Sequence, residues 1–210
     1  MLKLFYSPGS CALASHICLE QAGAKYEAVR LDFKKEEQRS PEYLKINPKG
    51  RVPALVTDRG ILTETPAILI YLAQTFPKAN LAPLDDPFAL AQVQSFNAYL
   101  CATWHVAHAH GSRGYRWVDA ADKAALDAMK KKLPQSVGEC VRIVEHEMLE
   151  GPWVMGERFT VCDPYLYTVC TWLPSDSIDI AKSPKLADHF KRMAQLSAVK
   201  SARAAQGLPA

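Results

Sequence analysis

The sequence predicts a mixed α/β unit at residues 1–77 and an all-helical unit at 88–210, joined by a linker over 78–87. In the first unit, short apolar runs typical of strands alternate with helical stretches every dozen or so residues. The linker has no periodicity. Beyond it, apolar residues recur at helical spacing almost throughout, which predicts helices.

The first unit begins with a strand, a helix and a second strand. LKLFY at 2–6 is typical of a short buried strand, and Pro8 and Gly9 end it. Residues 11–22 have the apolar spacing of a helix packed on one face. Val29, Leu31 and Phe33 alternate with polar neighbours, which predicts a second strand over 29–33. This order implies a parallel crossover.

A hairpin and a helix complete the first unit. RVPALVTDRGILTE at 51–64 has two apolar segments flanking an Asp-Arg-Gly turn, which predicts two antiparallel strands. Thr65 is expected to cap the next helix and Pro66 to occupy its first turn. The order β-α-β followed by β-β-α is that of a thioredoxin-like fold.

The second unit begins with one long predicted helix. Asp86 and Pro87 form its start, because aspartate favours the cap and proline the first turn. Its apolar stripe is formed by Leu90, Val93, Leu100, Trp104 and Ala107. This stripe predicts a single helix that packs on one face.

Further helices follow. A long one is predicted over 120–150, with a bend at Pro134. Thr160 and Asp163 have the spacing of a capping box, with Asp in place of the usual Glu. Ser183, which precedes a proline, is expected to start another helix.

Composition limits the classes of function. The 210 residues are 49% hydrophobic and 22% charged, with a net charge of +3, as in an ordinary soluble protein. This charge is too small and too scattered for a nucleic-acid surface. The longest apolar run near a helix, at 67–73, is too short to span a bilayer. The N-terminal segment lacks the features of a signal peptide, so we expect a cytoplasmic protein.

Six cysteines occur, without a C-x-x-C pair or zinc-ligand spacing. Reduced thiols are therefore expected. Cys11 differs from the others because it follows a turn at the mouth of a predicted helix, where unpaired N–H groups favour a negatively charged sulfur. Cys18, one turn or two further on, is interpreted as a small apolar filler.

Four motifs in this order resemble the cytosolic glutathione transferases, most of all the bacterial beta class. They are FYSPGSCALASHI near the start, NPKGRVPALV at 47–56, LTETPAILIYL at 62–72 and FTVCDPYLYTV at 159–169. The resemblance covers nearly the whole chain. It implies a glutathione transferase fold, with a glutathione-binding thioredoxin-like domain and a helical domain that carries a hydrophobic acceptor site.

The resemblance implies how glutathione is held. Glu64 would offer its carboxylate to the ligand's ammonium group, and Thr65 with the helix N-terminus would bind the γ-glutamyl carboxylate. Thr65 could also be only a helix cap. Val52 would pair its backbone with the cysteinyl part, before a cis Pro53. The alternative for Pro53 is an ordinary edge or turn proline.

Two basic residues are candidates for a glutathione carboxylate. Lys35 and Arg51 carry the right charge, but either could equally be a solvated surface residue. Arg51 also stands where the beta class commonly has glutamine.

Cys11 matches the position whose cysteine faces the glutathione sulfur in the beta class. A helix terminus contributes only ~0.3–1 kcal/mol to a nearby charge, so it would assist thiol activation without supplying it alone. A thiol can also form a mixed disulfide with glutathione, which leaves redox chemistry open. Ser10 and Tyr6 are rival hydroxyl donors to the sulfur, and Ser10 could act only through its backbone N–H.

His105 matches the family's histidine that points toward the glutathione sulfur. An imidazole could accept the thiol proton or hydrogen-bond the thiolate. His108 and His110 lie close by in sequence, which suggests a metal site, but no carboxylate or cysteine ligand accompanies the three. We therefore expect no metal, and we expect His108 and His110 to line the cleft or to face solvent.

The second substrate is expected to occupy an apolar pocket shaped by the helical domain. Candidate residues for this pocket are Trp104, His108, Tyr115 and Trp172. Aromatic residues at helical spacing are more often part of a core, which is the alternative.

The chain departs from the beta class at several positions. Val106 stands where lysine is frequent, Thr65 where serine is common, and Ala98 where an asparagine usually reaches across the dimer, although Asn97 lies beside it. These differences put the usual aryl-halide conjugation in doubt.

The sequence thus predicts a homodimeric, bacterial-type transferase that conjugates glutathione, its co-substrate, to small hydrophobic electrophiles in detoxification. One alternative is a glutathione-dependent thiol-disulfide reductase or peroxidase acting through a Cys11 mixed disulfide. Another is a non-catalytic scaffold of the same shape. Neither nucleic acid nor a membrane is expected as a partner.

Overall fold

A four-stranded mixed sheet occupies the N-terminal unit. In the computed structural model, which describes residues 1–209, its strands are β1 (Leu2–Tyr6), β2 (Tyr26–Arg30), β3 (Ala54–Thr57) and β4 (Gly60–Thr63). The spatial order is β2-β1-β3-β4. β1 runs parallel to β2, and the other pairs are antiparallel. The predicted thioredoxin-like fold is confirmed.

The helices of this unit are α1 (Ala12–Gln21), the short α2 (Pro41–Leu44) and α3 (Thr65–Thr75). α1 is buried over most of its length, since it packs on α3 and also against the helical unit. Its Leu13 and Ile17 belong to one buried apolar cluster with Tyr167 and Val199 of that unit. α1 thereby fixes the two units together directly behind Cys11.

The helical unit consists of α4 (Pro87–Tyr99), α5 (His105–Arg113), α6 (Lys123–Ile143), α7 (Cys162–Cys170), α8 (Pro184–Gln195) and α9 (Ser197–Ala205). In the described part of the chain, no helix is long and apolar enough to cross a membrane.

The single long helix that the sequence predicted from Pro87 onward is present and runs to Arg113, but it contains a change of helix type. A π-helical segment, Leu100–Trp104, separates α4 from α5. Such a segment widens the helix by one residue per turn and re-aims the side chains that follow it. His105, the first residue of α5, is one of these side chains.

Two other boundaries differ from prediction because aspartates cap them. The second strand ends at Arg30 instead of continuing to Phe33, since Asp32 accepts a hydrogen bond from Lys34 N–H at 2.9 Å and starts a 3₁₀ turn. α6 begins at Lys123, since the Asp122 carboxylate accepts one from Ala125 N–H at 2.9 Å.

The predicted capping box at α7 is confirmed. Asp163 accepts a hydrogen bond from the Thr160 backbone N–H at 2.7 Å, and the Thr160 hydroxyl accepts one from Cys162 N–H at 3.3 Å. Asp163 also accepts from Val154 N–H at 2.8 Å and bonds His189 Nε2 at 3.0 Å. This buried carboxylate therefore joins α7, α8 and the preceding loop.

Candidate active site

The turn that presents Cys11 is held by the helical unit. Gly9 has φ +70°, a conformation that favours glycine. Its N–H donates to Gln206 Oε1 at 3.1 Å, and its carbonyl accepts from Trp172 Nε1 at 2.8 Å. Gln206 follows α9, nearly two hundred residues away in sequence, and no local signal marks it as part of the site.

The Cys11 thiol lies at the start of α1 and is only 9% exposed. It donates a hydrogen bond to the Val52 carbonyl at 3.4 Å. Burial raises the pKa of Cys11 to about 11, and the opposing effect of the Thr65 hydroxyl is smaller. For this sulfur, burial outweighs the helix N-terminus, so Cys11 is a protonated thiol and a hydrogen-bond donor near neutral pH.

The two rival hydroxyls are engaged elsewhere. Ser10 Oγ donates to the Ser7 carbonyl at 2.6 Å, within its own turn. Tyr6 donates to the Ala205 carbonyl at 3.2 Å and does not line the cleft. Tyr6 is therefore not placed to contact a sulfur beside Cys11, which corrects its candidacy.

The loop before β3 faces Cys11 and contains a cis peptide bond between Val52 and Pro53, as expected. The carbonyl of Arg51 accepts hydrogen bonds from the Tyr43 hydroxyl and from Asn47 Nδ2, both at 2.6 Å. These contacts hold the backbone of Val52 at the cleft.

Glu64 and Thr65 lie at the N-terminus of α3. Glu64, with φ +72°, occupies the N-cap position that the sequence assigned to Thr65, and Thr65 is the buried first residue of the helix. The Glu64 carboxylate is paired with Lys49 Nζ, which also donates to Thr63 Oγ1 at 2.6 Å. The carboxylate is thus already positioned to bind an ammonium group.

Lys35 does not join this site. It is exposed and lies outside the residues that line the cleft, whereas Arg51 lines both of its cavities. Lys49, which the sequence analysis missed, is the lysine beside Glu64. The only feature of the sequence that could have indicated Lys49 is its position in the NPKG motif.

His105 reaches the cleft from the opposite wall and lines both cavities. Its ring centroid lies 4.9 Å from that of Trp172. Burial, with smaller effects from the nearby His108 and Arg116, lowers the pKa of His105 to about 4. The imidazole is therefore neutral near neutral pH, which is the form that can accept a proton or a hydrogen bond.

The depressed pKa of His105 predicts an acid-sensitive stability term. The unfolded chain binds a proton there below about pH 6.5, whereas the folded chain does so only near about pH 4. Acidification through this window therefore favours unfolding. We expect the free energy of unfolding of wild type to fall relative to His105→Gln as pH decreases through it. Urea unfolding curves at both ends of the window measure this, and a constant difference would contradict it.

His108 is held by a buried partner. Its Nδ1 lies 2.8 and 2.9 Å from the two carboxylate oxygens of Asp176, which is 2% exposed. The His108 ring stacks on Trp172 with centroids 4.6 Å apart. Asp176 was missed because it is far from His108 in sequence.

The three histidines do not converge. His110 packs on Trp117, with ring centroids 4.3 Å apart, while His105 and His108 contact Trp172. Within residues 1–209, no group of three or more His, Cys, Asp or Glu side chains could hold a metal ion.

The cleft consists of two cavities that share Cys11, Val52 and His105. The smaller, of about 130 Å³, is also lined by Pro53, Glu64 and Thr65. The larger, of about 500 Å³, is also lined by Ser10, His108, Tyr115 and Trp172. Most of the predicted site residues thus meet between the two units.

Two expectations for the acceptor pocket fail. Trp104 is 0% exposed and belongs to the core, as its place in the apolar stripe of the first long helix indicates. The wall that the helical unit contributes is polar and basic instead of mainly apolar. Besides the two histidines, it includes Ser112, Arg113 and Arg116.

This fold and cleft define a class of protein that holds a thiol ligand between a thioredoxin-like unit and a helical unit. Residues 1–74 match the model of the glutathione S-transferase N-terminal domain, and residues 103–197 that of the C-terminal domain. The chain belongs to the glutathione S-transferase family, and it is a glutathione transferase of the bacterial type.

Relatives and solved structures agree. Glutathione S-transferase GstA of Escherichia coli O157:H7 is 35% identical, over 99% of this chain and 100% of its own. A glutathione transferase homologue from Sulfitobacter, solved with bound glutathione, is 43% identical with a TM-score of 0.94, covering 100% and 99% of the two chains. A beta-class enzyme from Sphingomonas chungbukensis is 33% identical with a TM-score of 0.84, covering 99% and 100%.

Proposed function

We propose that this transferase conjugates glutathione to small electrophiles, with the glutathione sulfur between Cys11 and His105. The observation that carries this proposal is the convergence of Cys11, Val52, Glu64, Thr65 and His105 on one small cavity. Each offers a group that glutathione requires, and they come from both units of the fold.

Glutathione would lie along the N-terminus of α3. Its ammonium would bind Glu64 in place of Lys49, and its γ-glutamyl carboxylate would bind the Thr65 hydroxyl and the helix N–H groups. The backbone of Val52 would pair with the cysteinyl part. Arg51 is the remaining candidate for the glycyl carboxylate, since Lys35 lies outside the cleft.

The two groups beside the sulfur would have different roles. The Cys11 thiol would donate a hydrogen bond to the glutathione thiolate, in exchange for its bond to the Val52 carbonyl. Neutral His105 would stabilise the thiolate through a hydrogen bond, because a pKa of about 4 makes it a weak acceptor of the thiol proton. Both roles lower the free energy of the reactive thiolate.

The properties of Cys11 favour conjugation over a mixed-disulfide mechanism. A pKa of about 11 leaves little Cys11 thiolate to attack a disulfide near neutral pH. The retained glutathione-binding groups argue against a scaffold role.

The proposal also covers the oligomeric state and the cellular location of the protein. We infer a homodimer, and the exposed Phe88 and Ile61, 74% and 42% accessible, are candidates for contacts between subunits. Asn97 does not reach across a dimer, because it is fully buried. A cytoplasmic role in detoxification fits reduced cysteines, all of which are free.

Substitution of Cys11 tests the proposal. In Cys11→Ala, kcat/KM for conjugation of a panel of electrophiles is expected to fall by no more than about fivefold, the worth of one hydrogen bond. Cys11→Ser serves as the matched variant. Abolished conjugation, together with robust glutathione-dependent disulfide reduction by wild type, would favour the redox mechanism instead. Absence of glutathione binding at about millimolar ligand would favour the scaffold.

A further inference from the structure

The larger cavity carries an unbalanced set of charges. Four arginines line it: Arg39, Arg51, Arg113 and Arg116. In the described part of the chain, Glu36 is the only carboxylate that lines it, and it lies 3.9 Å from the guanidinium of Arg39. Among residues 1–209, the other three arginines have no carboxylate within 4.0 Å.

The arginines lie on opposite walls. Arg51 lies in the thioredoxin-like unit, where the glycyl carboxylate of glutathione is expected. Arg113 ends α5 and Arg116 belongs to the 3₁₀ turn that follows it, in the helical unit. These two share their wall with His105, which faces the thiol.

The neighbouring carboxylates do not neutralise this wall. Asp176 is committed to His108 through both of its oxygens. Glu64 is paired with Lys49. In agreement, the pKa of Arg116 is lowered, first by burial and then by the nearby charges of Arg51 and Arg113. A cleft lined by one sign of charge attracts ligands of the opposite sign.

Glutathione leaves these charges unmatched. It has two carboxylates and one ammonium group, and Thr65 with α3, Arg51 and Glu64 account for them in the proposed arrangement. The geometry points to a further ligand group: we propose that the acceptor site takes an electrophile bearing a carboxylate, which Arg113 and Arg116 bind. Planar guanidinium groups suit carboxylates because they donate two parallel hydrogen bonds.

This inference rests on the proposed function and names its substrate class. With a chloroarene carboxylate as acceptor, the glutathione thiolate attacks the carbon that carries chlorine. The C–S bond forms, the C–Cl bond breaks, and chloride leaves with the bonding pair. The thiol proton passes to solvent. The carboxylate takes no part in bond making and serves only to orient the ring.

A matched pair of electrophiles tests the inference. We would measure kcat/KM for para-chloro-meta-nitrobenzoate and for its methyl ester, each divided by its uncatalysed rate with glutathione. Wild type is expected to prefer the carboxylate by about tenfold, the lower end for a charged hydrogen bond. Arg116→Gln is expected to remove this preference without changing the KM for glutathione. Arg142→Gln, exposed on α6 and paired with Glu139, is the control.

Three outcomes would overturn the inference. One is that wild type shows the same kcat/KM for both electrophiles after division by the uncatalysed rates. Another is an unchanged preference in Arg116→Gln. The third is a raised glutathione KM in that variant with the preference retained, which would assign Arg116 to glutathione.

Failure of conjugation itself is distinguishable. If no electrophile of the panel reacts, these two included, the proposed function fails, and the acceptor site is tested by binding. Calorimetric titration then compares the binding of meta-nitrobenzoate with that of its methyl ester, in the presence of glutathione. Tighter binding of the carboxylate by wild type but not by Arg116→Gln supports the inference, and equal binding overturns it.

Discussion

Replacing Asp163 with alanine is expected to lower the free energy of unfolding by about 3–5 kcal/mol. The carboxylate is fully buried and accepts from the backbone N–H groups of Val154 and Thr160, while His189 Nε2 lies 3.0 Å away. Alanine leaves these buried groups without an acceptor, and each unmet group costs free energy.

Urea unfolding followed by circular dichroism measures this effect. Asp188→Ala is the matched control, because Asp188 is 64% exposed and pairs with Arg192 on the surface of α8. Its loss is expected to cost less than about 1 kcal/mol. Asp163→Asn keeps one acceptor oxygen and should lie between the two. Equal stabilities of Asp163→Ala and Asp188→Ala would show that the buried carboxylate does not stabilise the fold.

Replacing Glu64 with glutamine is expected to weaken glutathione binding by about tenfold, because the ligand's ammonium loses its charged partner. The effect is moderate for a charged contact, since the carboxylate is 58% exposed and therefore partly screened. Glutamine keeps the size of the side chain. Like glutamate it is unbranched at Cβ, so the substitution adds no backbone strain at a residue whose φ is +72°. Isothermal titration with glutathione measures the change.

Lys49→Met is the control for this experiment. Lys49 occupies the Glu64 carboxylate in the absence of ligand, so its removal is expected to leave glutathione binding unchanged or stronger. A loss of affinity in Lys49→Met with none in Glu64→Gln would mean that Lys49 binds a glutathione carboxylate and that Glu64 only orients it.

The sequence was sufficient for features that depend on local chemistry. Periodicity and turn residues predicted the succession of strands along the chain. Each proline with its neighbours predicted the start of α3, α4 or α8. The capping box at Thr160 could be recognised for the same reason. The motifs around Cys11, Val52 and Glu64 could indicate the family, because these residues lie in short segments next to element ends.

Boundaries were less accurate where side-chain capping competed with periodicity. Asp32 ended the second strand early, and Asp122 delayed the start of α6. The π-helical segment had no sequence signature, yet it lies directly before His105, which lines the cleft.

What the sequence determined alone was the family of folds and the chemistry of one wall of the cleft. Only the tertiary structure decided that Cys11 is a buried thiol of raised pKa, that Asp176 holds His108, and that Gln206 holds the turn at Gly9. It also decided that the facing wall is basic. Burial and charge balance are sums over neighbours distant in the chain, and no local pattern of residues encodes those sums.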